Sequence, residues 1–432
     1  NENKIIVGLA NLHFRFGHTS ILQYLDAGYN NFIFNEYGIL IPKSILYFSL
    51  CYFFFKETIN NFKRNQNNFG FVSFLILFQI LFDMNRYSYH GNDVPAHLII
   101  LFLSYYFFKN RISKFGDFYL ISIMCIFSFQ VKSTSLVLLI LPILIIIFFR
   151  KKNYLFNFKN FFLVLLFSLW IIKNIIISGC LIFPVKVTCI NKFYWNSSLI
   201  ESENSVNKVS TENEAWAKGW PDRSNIDLNY EQYLKSNWTN IWIKNHGKIL
   251  LKKLTPIMII TVFISLVFFM SIKKYKFSKY QILKNLILFG IFLFGTIVWF
   301  MKFPTYRYGS SYIIGLIIFS QLYLSRNFEV SINVKNSIKY ISIFLIFLIN
   351  LKYLQKYEPE KSFWPNIYSF EEKIYEPKQF KKIYKGEKFM FYDPEGKLCM
   401  YSASPCTNVS VNKKVTTKIN SFGYKIYFLS FS

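Results

Sequence analysis

The densest group of chemically competent side chains is the run Asp83-Met84-Asn85-Arg86-Tyr87-Ser88-Tyr89-His90-Gly91-Asn92-Asp93-Val94-Pro95-Ala96-His97. Two carboxylates, a guanidinium and two imidazoles fall within fifteen residues, pinned by Gly91 and Pro95. Such a set can ligate a metal, hold a phosphate or take a proton from a hydroxyl, and it can equally be a solvated, salt-bridged loop. Lys132, before Ser133-Thr134-Ser135, suits a phosphate contact or a snorkelling interfacial anchor. Lys173, next to Asn174, lies about one and a half turns before Gly179, where an ammonium needs an acidic or carbonyl partner. Arg307 stands between Tyr306 and Tyr308; its planar fork fits a phosphate, and its neighbours equally fit an aromatic belt. The N-terminal stretch adds His13 and Arg15 among aromatics. The sequence has no Gly-rich phosphate loop, CxxC pair, HExxH or GxSxG elbow.

These residues sit between long apolar runs. The chain is 53% hydrophobic, 21% aromatic and 17% charged, and its apolar residues fall in unbroken stretches, which points to lipid as solvent. Ten stretches read as spans: 39–55, 69–82, 94–108, 118–129, 133–149, 161–177, 255–272, 282–301, 311–325 and 338–354. The net charge of +27 would suggest nucleic acid in a soluble protein. Here many lysines occupy short segments between apolar runs, so membrane orientation explains them and no nucleic-acid partner is expected. One alternate set of loops holds the clusters Lys56, Lys63, Arg64; Lys109, Arg111, Lys114; and Arg150, Lys151, Lys152, Lys159, whereas the opposite short loops hold Arg86, Lys132, Lys302 and Arg307. The first set is expected to be cytoplasmic. The expected fold is thus an all-α polytopic integral membrane protein of about ten helices, whose polar loops lie outside.

The expected organisation is an interfacial segment 1–38, a six-helix membrane part 39–183, a large outer loop 184–253, a four-helix part 254–354 and an outer tail 355–432. In the tail, 388–392, 397–401, 413–419 and 424–429 alternate apolar and polar residues around Gly-Pro turns, the pattern of a small β-rich cap. The outer loop turns helical from Asn229, with Tyr230, Tyr233, Leu234, Trp238, Ile241 and Trp242 at helical spacing. Cys180 and Cys189 flank one outer loop, and Cys399 and Cys406 a turn in the tail; both pairs are disulfide candidates, four free thiols being the alternative. The absence of an initiator Met leads to the expectation that further chain precedes Asn1.

Several strings together resemble an uncharacterised bacterial family of polytopic membrane proteins that is itself similar to the GT-C class of glycosyltransferases. They are GLANLHFRFGHTS (8–20), RYSYHGNDVPAH (86–97), VKSTS (131–135), KNIIISGCLIFPVKVTC (173–189), AWAKGW (215–220), YRYG (306–309) and LCMYSASPC (398–406). The resemblance implies transfer of a sugar from a polyprenyl-phosphate-linked donor to a cell-envelope glycan or lipid, on the periplasmic face of the bacterial inner membrane. The partners it implies are the lipid bilayer, that donor and that acceptor. It implies an acidic residue in an outer loop, for which Asp93 and then Asp83 are the candidates within the chain, the family's usual position falling upstream of Asn1. It casts Arg86, His90, His97, Lys132, Lys173, Arg307, His13 and Arg15 as phosphate or sugar contacts, with Trp216, Trp220 and Trp242 as stacking surfaces. No metal ligand set is assigned, and a divalent cation, Mg or Mn, stays open as a cofactor. The alternatives are an O-antigen polymerase- or ligase-like enzyme and a transporter or flippase.

Overall fold

The structure, a computed structural model, describes residues 6–11, 14–18, 20–29, 33, 38, 40–83, 91–190, 192–193, 195–196, 206–220, 229–270, 274–275, 278–324, 327–328, 332–355, 415–419 and 425–429. Two short 3-10 helices, Leu9–Asn11 and Phe14–Gly17, lead to α1 (Ile21–Tyr29). α2 (Ile41–Lys63) and α3 (Asn67–Phe82) form a hairpin turned at Asn65, whose φ of 58° is a left-handed conformation that Asn tolerates. α4 (Asp93–Lys109) and α5 (Phe115–Val131) follow, and the 3-10 helix Ser133–Leu139 runs into α6 (Ile140–Phe148). α7 (Asn160–Ser178) stops at Gly179, where φ is 75° and a Cβ would meet Asn196 Cα at 2.7 Å. α8 (Val206–Ala217), α9 (Tyr230–Lys235) and α10 (Trp238–Trp242) precede a π turn, Ile243–Gly247, that continues into α11 (Lys248–Met270). The Asn229 side chain caps α9 by accepting from Gln232 N at 2.8 Å. α12 (Lys279–Lys302), α13 (Tyr306–Leu324) and α14 (Ile332–Gln355) complete the described helices.

The count of about ten spans does not hold. Three helices among the described residues are long and apolar enough to cross a membrane: Asn160–Ser178, the continuous rod Trp238–Leu266, and Lys279–Lys302. The discrepancy has a physical origin. α3 has 16 residues and α4 has 17, about 24–26 Å of helix against a hydrocarbon core of about 30 Å. Both are buried on nearly every side, so their uninterrupted apolar sequence serves the protein interior. α2 is long enough but carries Lys43, Lys56, Glu57 and Lys63. A hydropathy run therefore marks burial, and only length and flanking charge separate burial in protein from burial in lipid.

The β-rich cap is corrected as well. Strands β1 (Lys274–Tyr275) and β2 (Asn327–Phe328) pair between helices. Among the described residues of the tail, β3 (Val415–Ile419) and β4 (Lys425–Leu429) make one antiparallel ribbon with Val415 opposite Leu429, and two strands by themselves do not enclose a core. The other two expected strands, and the Cys399 and Cys406 pair, lie outside the described residues. Cys180 and Cys189 are joined in a disulfide, while Cys51 and Cys125 are free thiols.

The α12–α13 hairpin fixes the geometry on which the site depends. A Cβ on Gly295 of α12 would lie 2.3 Å from the Tyr312 ring of α13. In the reverse sense, Cβ atoms on Gly309 and Gly315 of α13 would lie 2.3 Å from Trp299 and 2.2 Å from Phe292 of α12. Each helix thus receives the other's aromatic rings over its glycines, and only hydrogen at those positions permits the approach. At the far end of the bundle, Lys284 of α12 is buried and donates to the Asn110 carbonyl beyond α4, where the helix dipole is negative.

Candidate functional site

Asp83 is the C-cap of α3 and Asp93 the first residue of α4, so the two carboxylates leave and enter the bundle at the same end. Lys132, the C-cap of α5, reaches that end at a helix C-terminus as Asp83 does, and Tyr306 and Arg307, opening α13, at a helix N-terminus as Asp93 does. Helix polarity favours Asp93, at an N-terminus, and opposes Asp83, at a C-terminus; Asp83 needs compensation from its neighbours.

Asp93 is buried and paired on both oxygens. Its Oδ1 lies 2.8 Å from Lys132 Nζ, and its Oδ2 accepts from Arg307 Nε. Burial alone would push the Asp93 carboxyl up; Lys132 and Arg307 outweigh it and hold the group below the usual carboxylate range. The Arg307 side chain nevertheless remains 60% exposed, and Lys132 27%. Both cations border the Tyr308 ring, Lys132 Nζ at 5.0 Å and the Arg307 guanidinium at 5.7 Å from its centroid.

Asp83 Oδ2 accepts from Gln79 Nε2 at 2.6 Å and from the Tyr306 hydroxyl at 2.8 Å. Its Oδ1 faces Lys253 Nζ of α11 at 3.6 Å, an ion pair without a hydrogen bond. His97, one turn beyond Asp93, is held by α13 through both ring nitrogens, Nδ1 to Ser311 Oγ at 2.7 Å and Nε2 to the Arg307 carbonyl at 2.9 Å. A carbonyl can only accept, so Nε2 carries the proton; a neutral ring then has Nδ1 as acceptor for the Ser311 hydroxyl. His97 is therefore a strut between α4 and α13. A cavity of about 20 Å³, room for about one water, is lined by Gln79, Asp83, His97, Ser310 and Ser311 among apolar residues.

The segment that delivers Arg307 is itself tied down. Trp299 Nε1 donates to the Thr305 carbonyl at 2.7 Å and Trp242 Nε1 to that of Pro304. Glu214 of α8 links Lys218 at 2.6 Å and Lys302 at 2.9 Å, fastening α8 to the end of α12.

Of the residues expected to act together, the structure brings Asp83, Asp93, His97, Lys132 and Arg307 to one place. Lys173 is elsewhere, buried with its ammonium 5.1 Å from the Trp170 ring centroid and 5.8 Å from that of Tyr24. Arg15 belongs to the 3-10 helix Phe14–Gly17. Arg86, His90 and His13 lie outside the described residues. Among the tryptophans, Trp216 is exposed, Trp220 packs edge-on to Tyr230, and Trp242 is buried against Phe300. Sequence reasoning missed Gln79 and Lys253; the amide inside the apolar run of α3 was the available signal for the first. A divalent cation does not fit the carboxylates as they stand, since Asp93 presents both oxygens to fixed cations and Asp83 faces a third. No group of three or more His, Cys, Asp or Glu arranged to hold a metal occurs among the described residues.

Fold and site together define an α-helical protein with apolar helices of membrane-crossing length and a cluster of paired charges at one end of its bundle. The chain belongs to the family described as Domain of unknown function (DUF8201), which matches residues 1–314 and so takes in every residue of the cluster. No curated protein and no solved structure matches it.

Proposed function

We propose that this is a membrane glycosyltransferase that moves a sugar from a polyprenyl-phosphate-linked donor to a cell-envelope glycan or lipid on the periplasmic side of the bacterial inner membrane. The observation that carries this reading is the meeting of Asp83, Asp93, Lys132, Lys253 and Arg307, from five separate helix segments, at one end of the bundle. Glycosyl transfer from a lipid phosphate needs a proton acceptor and positive charge for the leaving phosphate, and this cluster holds both kinds of group. A hydroxyl oxygen of the acceptor attacks the anomeric carbon, the carbon–oxygen bond to phosphate breaks, and the lipid phosphate leaves with the bonding electrons. Cations already oriented toward that oxygen stabilise the growing charge.

Arg307 and Lys132 supply those cations. Both keep exposed surface while Asp93 fixes their positions, so Asp93 acts through them as a positioning residue. Asp83 is the better proton acceptor: Gln79 and Tyr306 occupy one of its oxygens, and the other stands 3.6 Å from Lys253, a looser pairing than the 2.8 Å between Asp93 and Lys132. The disulfide supports an oxidising compartment for this end. Phe183, inside the disulfide loop, packs edge-on to His18 at 5.1 Å between ring centroids, and the charge of Lys132 acts on that imidazole.

The test is transfer of labelled sugar from polyprenyl-phosphate donors to an envelope lipid fraction, with the protein in nanodiscs. The expected result is transfer by the wild type and a fall of about 10²–10⁴-fold for Asp83→Asn. Failure of the wild type with hexose, aminosugar and pentose donors alike rejects the reading. Chain growth from diphosphate-linked oligosaccharides would instead assign the polymerase class, and movement of unmodified lipid across the bilayer a flippase.

A further inference from the structure

The loop closed by Cys180 and Cys189 carries apolar side chains where solvent would be expected to select polar ones. Leu181, Val185 and Val187 are exposed, Val187 to 95%, and Lys186 is exposed between the two valines. The loop cannot fold inward to hide them. The disulfide closes its base, and the Thr188 hydroxyl donates toward the Ile182 and Val185 carbonyls at 3.0 and 2.7 Å. Backbone bonds from Leu181 N to Thr188 O, Val185 N to Ile182 O and Cys189 N to Lys186 O complete a self-contained knot. Its inner face is fixed too: Phe183 is buried, its ring 2.6 Å from where a Cβ on Gly17 would stand.

The knot begins one residue after α7, which is of membrane-crossing length and presents Phe161, Phe162, Val164, Leu169 and Ile172 outward. Chain leaving such a helix emerges into the zone between acyl chains and headgroups. A rigid tip of two valines flanking a lysine matches that zone, the valines by transfer from water and the ammonium by attraction to lipid phosphate. The N–H groups of Leu181, Ile182, Val185, Thr188 and Cys189 are bonded within the knot, so entry strands none of those five.

We propose that the Cys180–Cys189 loop is a membrane-interface finger, Val185 and Val187 entering the acyl boundary and Lys186 contacting phosphate headgroups. This rests on the lipid-facing α7 and is independent of the reaction catalysed. The test places a diazirine-bearing amino acid at position 187, and in a second variant at position 185, with the protein in nanodiscs of phosphatidylcholine and phosphatidylglycerol. Lipid adducts dominating at both positions are the expected result, with Lys186→Glu lowering their yield. Adducts confined to polypeptide, whether a second copy or another chain, or only water-quenched products, would overturn the proposal; an unchanged yield in Lys186→Glu would overturn the part assigned to the lysine.

Discussion

Arg307, at the start of α13, donates to the carboxylate of Asp93, at the start of α4, across 214 residues of sequence. The pair joins two helix N-termini, and Lys132 completes it from the end of α5. Asp93 thus links three helices at once.

Asp93→Asn leaves two cations without their counter-charge and is expected to cost on the order of 1–3 kcal/mol. The pH dependence has a definite sign. With its folded pKa held below the ordinary value of about 4, Asp93 stabilises fully above that value, and the contribution is lost as pH falls through the lower folded pKa. In that window the unfolded chain binds more protons, so stability rises with pH. Thermal unfolding of wild type and variant across acidic pH checks this; parallel curves would show that the pairing carries no linkage.

Tyr306→Phe tests the second carboxylate. It removes the hydroxyl from Asp83 Oδ2 and leaves Gln79 as the remaining donor to that oxygen among the described residues. The expected loss is about 1–3 kcal/mol, read as a lower unfolding temperature. Transfer should fall as well, because Asp83 is then less firmly oriented; full activity would remove Tyr306 from the positioning of Asp83.

The glycine–aromatic contacts of the α12–α13 hairpin make a sharper demand. Gly315→Ala puts a methyl into the space of the Phe292 ring and should destabilise by about 1–3 kcal/mol or more. Combining it with Phe292→Leu should recover part of that loss. If the double variant is no better than the single one, the close approach is not what holds the hairpin.

Replacing both Cys180 and Cys189 by Ser opens a short loop, and the chain-entropy cost is about 2–3 kcal/mol. Reductant should bring the wild type down to the level of the double variant. Equal unfolding temperatures with and without reductant would mean that the hydrogen-bonded knot persists unaided.

The sequence alone determined that the chain is helical, that its apolar stretches need a nonaqueous environment, and that its reactive side chains occupy the breaks between them. Residue type and spacing dictate those features locally. Asp83, Asp93, Lys132 and Arg307 were legible because each is a charged group stranded beside a long apolar run. Which apolar runs are buried within the protein and which keep an exposed face was not legible, because α3 and α7 read alike until packing buries one and exposes the other. The division of labour was equally hidden. That Asp93 lies 2.8 Å from Lys132 while Asp83 stands 3.6 Å from Lys253, and that Lys253 joins them while Lys173 does not, depends on contacts between residues up to 223 positions apart. Such contacts are set by how the helices pack, through glycines and rings that a one-dimensional reading cannot pair.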